Sequence, residues 1–251
     1  MIKPIEAVSP VPNIRDRIIV ALDVETVAEA RAISTELAGH VGAFKIGMQL
    51  FTTTGPSIVR EFTDAGMKVF LDLKFHDIPN TVAKASVEAA KLGVWMFNIH
   101  ASGGGEMMRR AVSEVGVFCD ADGIERPLII GVTVLTSSNA DTLKEIGFDG
   151  EMENQVVRLA RLAAESGLDG IVASPHEVQA VKNAVPRKDF VTVTPGIRPG
   201  FATDDDQKRV TTLREACALG SDYVVIGRPI TQAKDRLEAV ERLIHEETPA
   251  K

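Results

Sequence analysis

The chain has 251 residues, of which 45% are hydrophobic and 25% charged, and its formal net charge is -7. This composition excludes a disordered chain, and the interspersed excess of acids argues against nucleic acid or an anionic membrane surface as the main partner, so an anionic ligand must be held by a few placed cations. Cys119 and Cys217 lie far apart with no CxxC pair, and no apolar run reaches the length of a signal-peptide core or a bilayer span. Neither a disulfide framework, a zinc site, export nor membrane insertion is therefore expected, and the reduced cytoplasm is the expected location.

Residues 1–16, with Pro4, Pro10 and Pro12, read as an extended lead-in. After them, short β-branched runs alternate with longer amphipathic stretches, the pattern of a parallel sheet covered by helices. The first strand is expected at 18–23, and a helix at 27–38 follows with Ala30, Ile33 and Leu37 on one stripe. Further strands are expected at 43–47, 68–74, 96–101, 128–134, 170–174, 190–195 and 223–227, and a helix at 156–164 carries Val156, Leu159, Ala160 and Ala163 on one side. Eight such rounds in this length predict an α/β fold of the (β/α)8 TIM-barrel type, with 1–251 as one domain. The first strand runs into Asp23-Val24-Glu25 with no GxGxxG, which disfavours a doubly wound dinucleotide fold.

Two connections are long for such a barrel: 136–152, and 196–208, which reads GIRPGFATDDDQK and has the Pro and Gly that a lid needs. Both follow strand C-terminal ends, the face on which barrel active sites are built. In strand 68–74 a period of two puts Val69, Leu71 and Leu73 on the helix side, which turns Phe70, Asp72 and Lys74 toward the barrel mouth. An isolated Asp-Lys pair reads first as a structural ion pair. Here Asp23 ends the first strand, Lys45 lies in the second and Asp77 follows the third, and burying so many charges is costly unless they pair, which makes function the better reason for them.

Gly196 and Arg198 follow strand seven, and Gly227 and Arg228 follow strand eight just before a helix that Pro229 can start. Glycines and prolines merely ending strands would account for part of this; arginines on adjacent loops point to a dianion site. His76 and His100 read as hydrogen-bonding residues at strand ends, and Ser102-Gly103-Gly104-Gly105, without the GK[ST] ending of a P-loop, as a strand-to-helix turn.

The run DLKFHDIPNTV, residues 72–82, resembles the signature of the bacterial type of the orotidine 5′-phosphate decarboxylase family. The resemblance covers nearly the whole chain: ALD at Asp23, FKIG at Lys45, NIHASGG around His100, VTVLTS at Thr136, TPGIRP at Arg198 and VIGRPIT at Arg228 stand in the family's order. It implies a homodimeric enzyme that converts orotidine 5′-monophosphate to uridine 5′-monophosphate and carbon dioxide, the last step of de novo pyrimidine biosynthesis, with no cofactor and no metal. It further implies that Lys45, Asp72, Lys74 and Asp77 form an alternating charge array around the reacting carbon, Asp77 reaching in from the second subunit. Asp23 and Lys45 would hold the ribose, Thr136 the base, and Arg198, Gly227 and Arg228 the phosphate, with Gln207 folded over it; Thr81 joins the substrate-binding set. A bare DxKxxD is shared with sugar-phosphate decarboxylases, so a metal-dependent enzyme of that kind is the first alternative. A lysine Schiff-base aldolase and a catalytically silent phosphate-binding barrel are the others.

Overall fold

The structure is a computed structural model, and it describes residues 13–197 and 211–245. Eight parallel strands close into a barrel in chain order: β1 (Ile18–Ala21), β2 (Ala43–Gly47), β3 (Val69–Phe75), β4 (Met96–His100), β5 (Leu128–Val132), β6 (Gly170–Val172), β7 (Val191–Thr194) and β8 (Tyr223–Ile226), with β8 pairing back onto β1. The helices are α1 (Val27–Leu37), α2 (Met48–Thr54), α3 (Ser57–Asp64), α4 (Pro79–Lys91), α5 (Gly105–Asp122), α6 (Ala140–Glu145), α7 (Met152–Glu165), α8 (Val178–Ala184), α9 (Leu213–Ala218), α10 (Arg228–Thr231) and α11 (Arg236–His245). The TIM-barrel expectation is met.

Strands covered on both faces have no solvent side, which is why β1 reads IIVA without a polar residue. Its side chains divide between two cores. Ile18 and Val20 pack outward with the helices, together with Val69, Leu71 and partly buried Leu73 of β3. Ile19 and Ala21 point inward and share the barrel interior with Phe70, Met96, Ile130 and Tyr223. Each such side chain contributes about 1.5–3 kcal/mol of burial when large and fully enclosed. The filled interior leaves only the rims for chemistry.

Local signals set the helices. Thr26 caps α1, its side chain accepting from the Glu29 amide, and α1 buries Ala30, Ile33 and Leu37, the stripe expected for it. Pro79 opens α4, and Thr212 with Glu215 forms a capping box on α9. The stripe expected on α7 is also the buried one, although the helix begins at Met152, four residues before the expected 156.

Six of the eight strands end one or two residues before the expected C-terminal end, and Asp23, Val134, Pro195 and Gly227, which lie just past the ladder, line the mouth instead. Loop 136–152 is not structureless: it carries α6, whose N-terminus Asn139 caps by accepting from the Thr142 amide. Of the lead-in, residues 1–12 lie outside the described residues, and Arg15–Arg17 form a 3-10 turn rather than extended chain. Residues 198–208 of the expected lid also lie outside the described residues.

Candidate active site

A cavity of about 790 Å³ opens at the C-terminal mouth of the barrel, a size suited to a small-molecule ligand. Asp23, Lys45, Asp72, Lys74 and Asn98 line it, together with Thr136, Gly196, Gly227 and Arg228. The first three strands and their ends thus supply the acids and bases, β4 an amide, and the later connections further polar and cationic groups.

The charges form one alternating chain. Lys45 Nζ lies 3.0 Å from Asp23 Oδ1 and 3.1 Å from Asp72 Oδ2, and Lys74 Nζ lies 2.6 Å from Asp72 Oδ1. The middle of the chain is buried and its ends are open: the side chains of Lys45 and Asp72 are 8% and 13% exposed, those of Lys74 and Asp23 27% and 57%. Burial works against the charge on Lys45, but the carboxylates of Asp72 and Asp23 outweigh it and hold the ammonium above the usual lysine range. Burial likewise works against ionised Asp72, yet Lys45, Lys74 and the hydrogen bonds from Lys74 and Asn98 hold its carboxyl below the usual range. Both groups therefore stay charged in a water-poor site. Gly47 makes room for this: a Cβ there would stand 2.9 Å from Asp23 Oδ1 and 3.1 Å from Lys45 Nζ.

Lys74 is held in the left-handed region, φ 52°, and is the single non-glycine residue with positive φ among the described residues. Such a conformation costs on the order of 1–3 kcal/mol and persists only where the surroundings enforce it. The pairing of β3 with β4 also shifts register between Leu71 and Phe75. The side-chain alternation still carries Asp72 and Lys74 into the mouth, as the period of two predicts. The distortion at Lys74 was not predicted, and neither was Asn98. The Asn98 amide donates from Nδ2 to Asp72 Oδ1 and accepts at Oδ1 from the Lys74 backbone N–H, both at 2.7 Å. Its signal in the sequence is an amide inside the otherwise apolar run Met96-Phe97-Asn98-Ile99, on the inward-facing side with Met96.

Exposed Thr136 lines the cavity as expected, and Gly227 caps α10, whose first residue is Arg228. Arg198 and Gln207 lie outside the described residues. The cavity of the single chain does not include Asp77 or Thr81. Asp77 is exposed at the β3–α4 corner, its Oδ1 accepting from the Ile78 amide at 2.6 Å, and Thr81 is exposed in the first turn of α4. The rings of His76 and His100 lie 5.2 Å apart. Burial, with His76 and Lys74 nearby, pushes His100 below the usual histidine range against the pull of Asp72, which favours a neutral ring. Residues 101–103 form a 3-10 turn leading into α5, the strand-to-helix turn expected of the glycine run. Among the described residues no three His, Cys, Asp or Glu side chains gather as a metal-ligand set, and no helix is long and apolar enough to cross a membrane.

The model of the orotidine 5′-phosphate decarboxylase / HUMPS family matches residues 16–243 of the chain. The chain belongs to that family. The match spans every site residue named above. Among curated relatives, the orotidine 5′-phosphate decarboxylase of Syntrophotalea carbinolica is 53% identical over 232 residues, 92% of this chain and 95% of the relative. That of Syntrophomonas wolfei is 50% identical over 234 residues, 92% of this chain and 98% of the relative. Among solved structures, orotidine 5′-phosphate decarboxylase from Lactobacillus acidophilus superposes with a TM-score of 0.79 at 38% identity, covering 90% of this chain and 96% of that one. An uncharacterized conserved protein from Geobacillus kaustophilus superposes with a TM-score of 0.80 at 39% identity, covering 91% of this chain and 99% of that one.

Proposed function

We propose that the chain decarboxylates orotidine 5′-monophosphate to uridine 5′-monophosphate and carbon dioxide, the last step of de novo pyrimidine biosynthesis, as a single-domain cytoplasmic enzyme without cofactor or metal. The observation that carries this reading is the alternating chain Asp23, Lys45, Asp72, Lys74 in the wall of a cavity that Gly227 and Arg228 also line.

Loss of carbon dioxide breaks a ring carbon–carboxyl bond and leaves the electron pair on a carbon with no adjacent carbonyl to absorb it. A preorganised cation in a water-poor site stabilises that charge where it forms. Lys74 is the ammonium at one of the open ends of the chain, so it takes this role and then supplies the proton that replaces the carboxyl group, leaving an amine that solvent reprotonates. Asp72 sits where the substrate carboxylate approaches, and its negative charge disfavours the bound carboxylate relative to the product. Lys45 and the exposed carboxylate of Asp23 hold the ribose, and Thr136 meets the base. Gly227 and Arg228 hold the phosphate together with Arg198, and Gln207 folds over it. The binding energy of that remote dianion can drive closure over the ring. Asp77 and Thr81, exposed and outside the lining of their own cavity, complete the site of a second subunit in a homodimer; the neighbouring Ile78, 65% exposed, fits such a contact.

The deciding assay follows the absorbance of orotidine 5′-monophosphate with and without exhaustive chelation. Every acid of the charge chain has a lysine against it, leaving no bare carboxylate cluster for a hard cation, so turnover should be unchanged by chelator. A loss restored by added divalent metal would favour the sugar-phosphate decarboxylase reading, and nucleotide binding without turnover the silent barrel.

Arg228→Ala tests the phosphate end. Removing one charge-assisted contact should weaken nucleotide binding by roughly 10- to 100-fold, while affinity for the corresponding nucleoside stays within about threefold. Equal losses for both ligands would take Arg228 out of the phosphate site.

A further inference from the structure

Four steps along β3, from Leu71 to Phe75, are matched by two along β4, from Phe97 to Ile99. The residues in between therefore lack regular ladder partners in β4, and they include the two that carry the chemistry, Asp72 and Lys74. The β4 residue facing this gap is Asn98, 1% exposed. Its side chain supplies what the ladder does not: Oδ1 accepts from the Lys74 amide and Nδ2 donates to Asp72 Oδ1, the same oxygen that Lys74 Nζ reaches at 2.6 Å. The carboxamide can sit in one orientation only. Flipped, it would set its oxygen against the Asp72 carboxylate and its NH2 against the Lys74 N–H, losing both bonds at a side chain that is itself enclosed.

We infer that Asn98 is a positioning residue for the decarboxylation, a clamp that holds the left-handed turn at Lys74 and aims the Asp72 carboxylate, so that ammonium and carboxylate reach the reacting carbon in a fixed relation. The inference rests on the proposed function for its catalytic part and on geometry alone for its structural part. Leucine is close to asparagine in size and offers neither bond. Asn98→Leu should leave the β1–β3 core folded and the binding of uridine 5′-monophosphate within about threefold, but lower kcat by on the order of 10²-fold, the cost of displacing a reacting group by about 1 Å.

Asn98→Asp keeps the shape and the acceptor for the Lys74 amide but places a second carboxylate 2.7 Å from Asp72. Two carboxylates that close share a proton as pH falls, and the shared proton restores the missing donor. The variant's kcat deficit relative to wild type should therefore shrink by about tenfold from pH 8 to pH 5, whereas a packing defect would be pH-independent.

The experiment combines kcat and product affinity for both variants, the pH profile of Asn98→Asp, and hydrogen exchange at the Lys74 amide. That amide should be protected in the wild type and lose at least about tenfold of its protection in Asn98→Leu, with Val69 to Leu71 unchanged. Folded Asn98→Leu with kcat within about threefold of wild type, a pH-independent deficit in Asn98→Asp, or unchanged exchange at Lys74 would each overturn the inference. If Asn98→Leu does not fold, isosteric Asn98→Asp carries the test. Absence of wild-type turnover would instead refute the proposed activity, while the exchange measurement still decides whether the clamp exists.

Discussion

Lys74→Ala should lower kcat toward orotidine 5′-monophosphate by more than about 10²-fold while the affinity for uridine 5′-monophosphate stays close to wild type. The asymmetry follows from where the ammonium stands. In the proposed reaction Lys74 is the ammonium at an open end of the charge chain, so its removal takes away the cation and the proton that the departing carboxyl group calls for, both needed mainly in the transition state. The rest of the chain survives the loss: Asp72 keeps Lys45 at 3.1 Å and the Asn98 amide at 2.7 Å and is not stranded as a lone buried charge. The contacts expected for ribose and phosphate lie elsewhere in the cavity. Stopped-flow or steady-state rates set beside equilibrium titration with product provide the check. A variant that retains more than about a hundredth of the rate would not be missing its acid and charge stabiliser.

Mixing the inactive variants Lys74→Ala and Asp77→Ala under conditions of subunit exchange should, for the proposed homodimer, restore roughly a quarter of wild-type activity. In a two-fold dimer whose sites each take Lys74 from one chain and Asp77 from the other, a mixed dimer has one intact site and one doubly altered site. Random exchange makes half the dimers mixed, and half of their sites work. The physical basis is the position of Asp77, exposed beyond the end of β3 and outside the cavity of its own chain, at a corner that Pro79 turns into α4. Were both residues to serve one site from one chain, each site in the mixture would still carry a lesion. Exchange demonstrated by mass with no recovery would refute the shared site.

The features that the sequence made legible are those a single strand or helix determines by itself. Strand 43–47 was readable to the residue because its run AFKIG follows Gly42 and ends at Gly47, which caps α2. The inward aim of Asp72 and Lys74 was readable because Val69, Leu71 and Leu73 must face the helices. The stripes on α1 and α7 were readable for the same reason. What escaped depends on how one strand lies against another. The slip between β3 and β4 and the clamp by Asn98 arise from relative register, and nothing within 68–74 or 96–101 alone reports it. The left-handed backbone at Lys74 escaped because lysine has no preference for that region; its neighbours impose it. Six-residue α6 escaped because so short a helix shows less than two turns of periodicity. The roles of Arg198 and Gln207 rest on the resemblance alone, since both lie outside the described residues.

The four linked side chains Asp23, Lys45, Asp72 and Lys74 sum to no charge, and the consequence is kinetic. Seen from a distance, a string of alternating signs has a field that cancels, so the ring end of the cavity exerts almost no pull on an approaching anion, and the chain as a whole carries -7. In the proposed reaction, capture of a nucleotide bearing a phosphate and a carboxylate then falls to the arginine end of the site, whose attraction fades within about 8 Å at physiological ionic strength. Encounter is thereby governed by one end of the molecule and bond-breaking by the other. Changes in the surrounding salt would be felt in how fast substrate arrives and scarcely at all in how fast it reacts once seated.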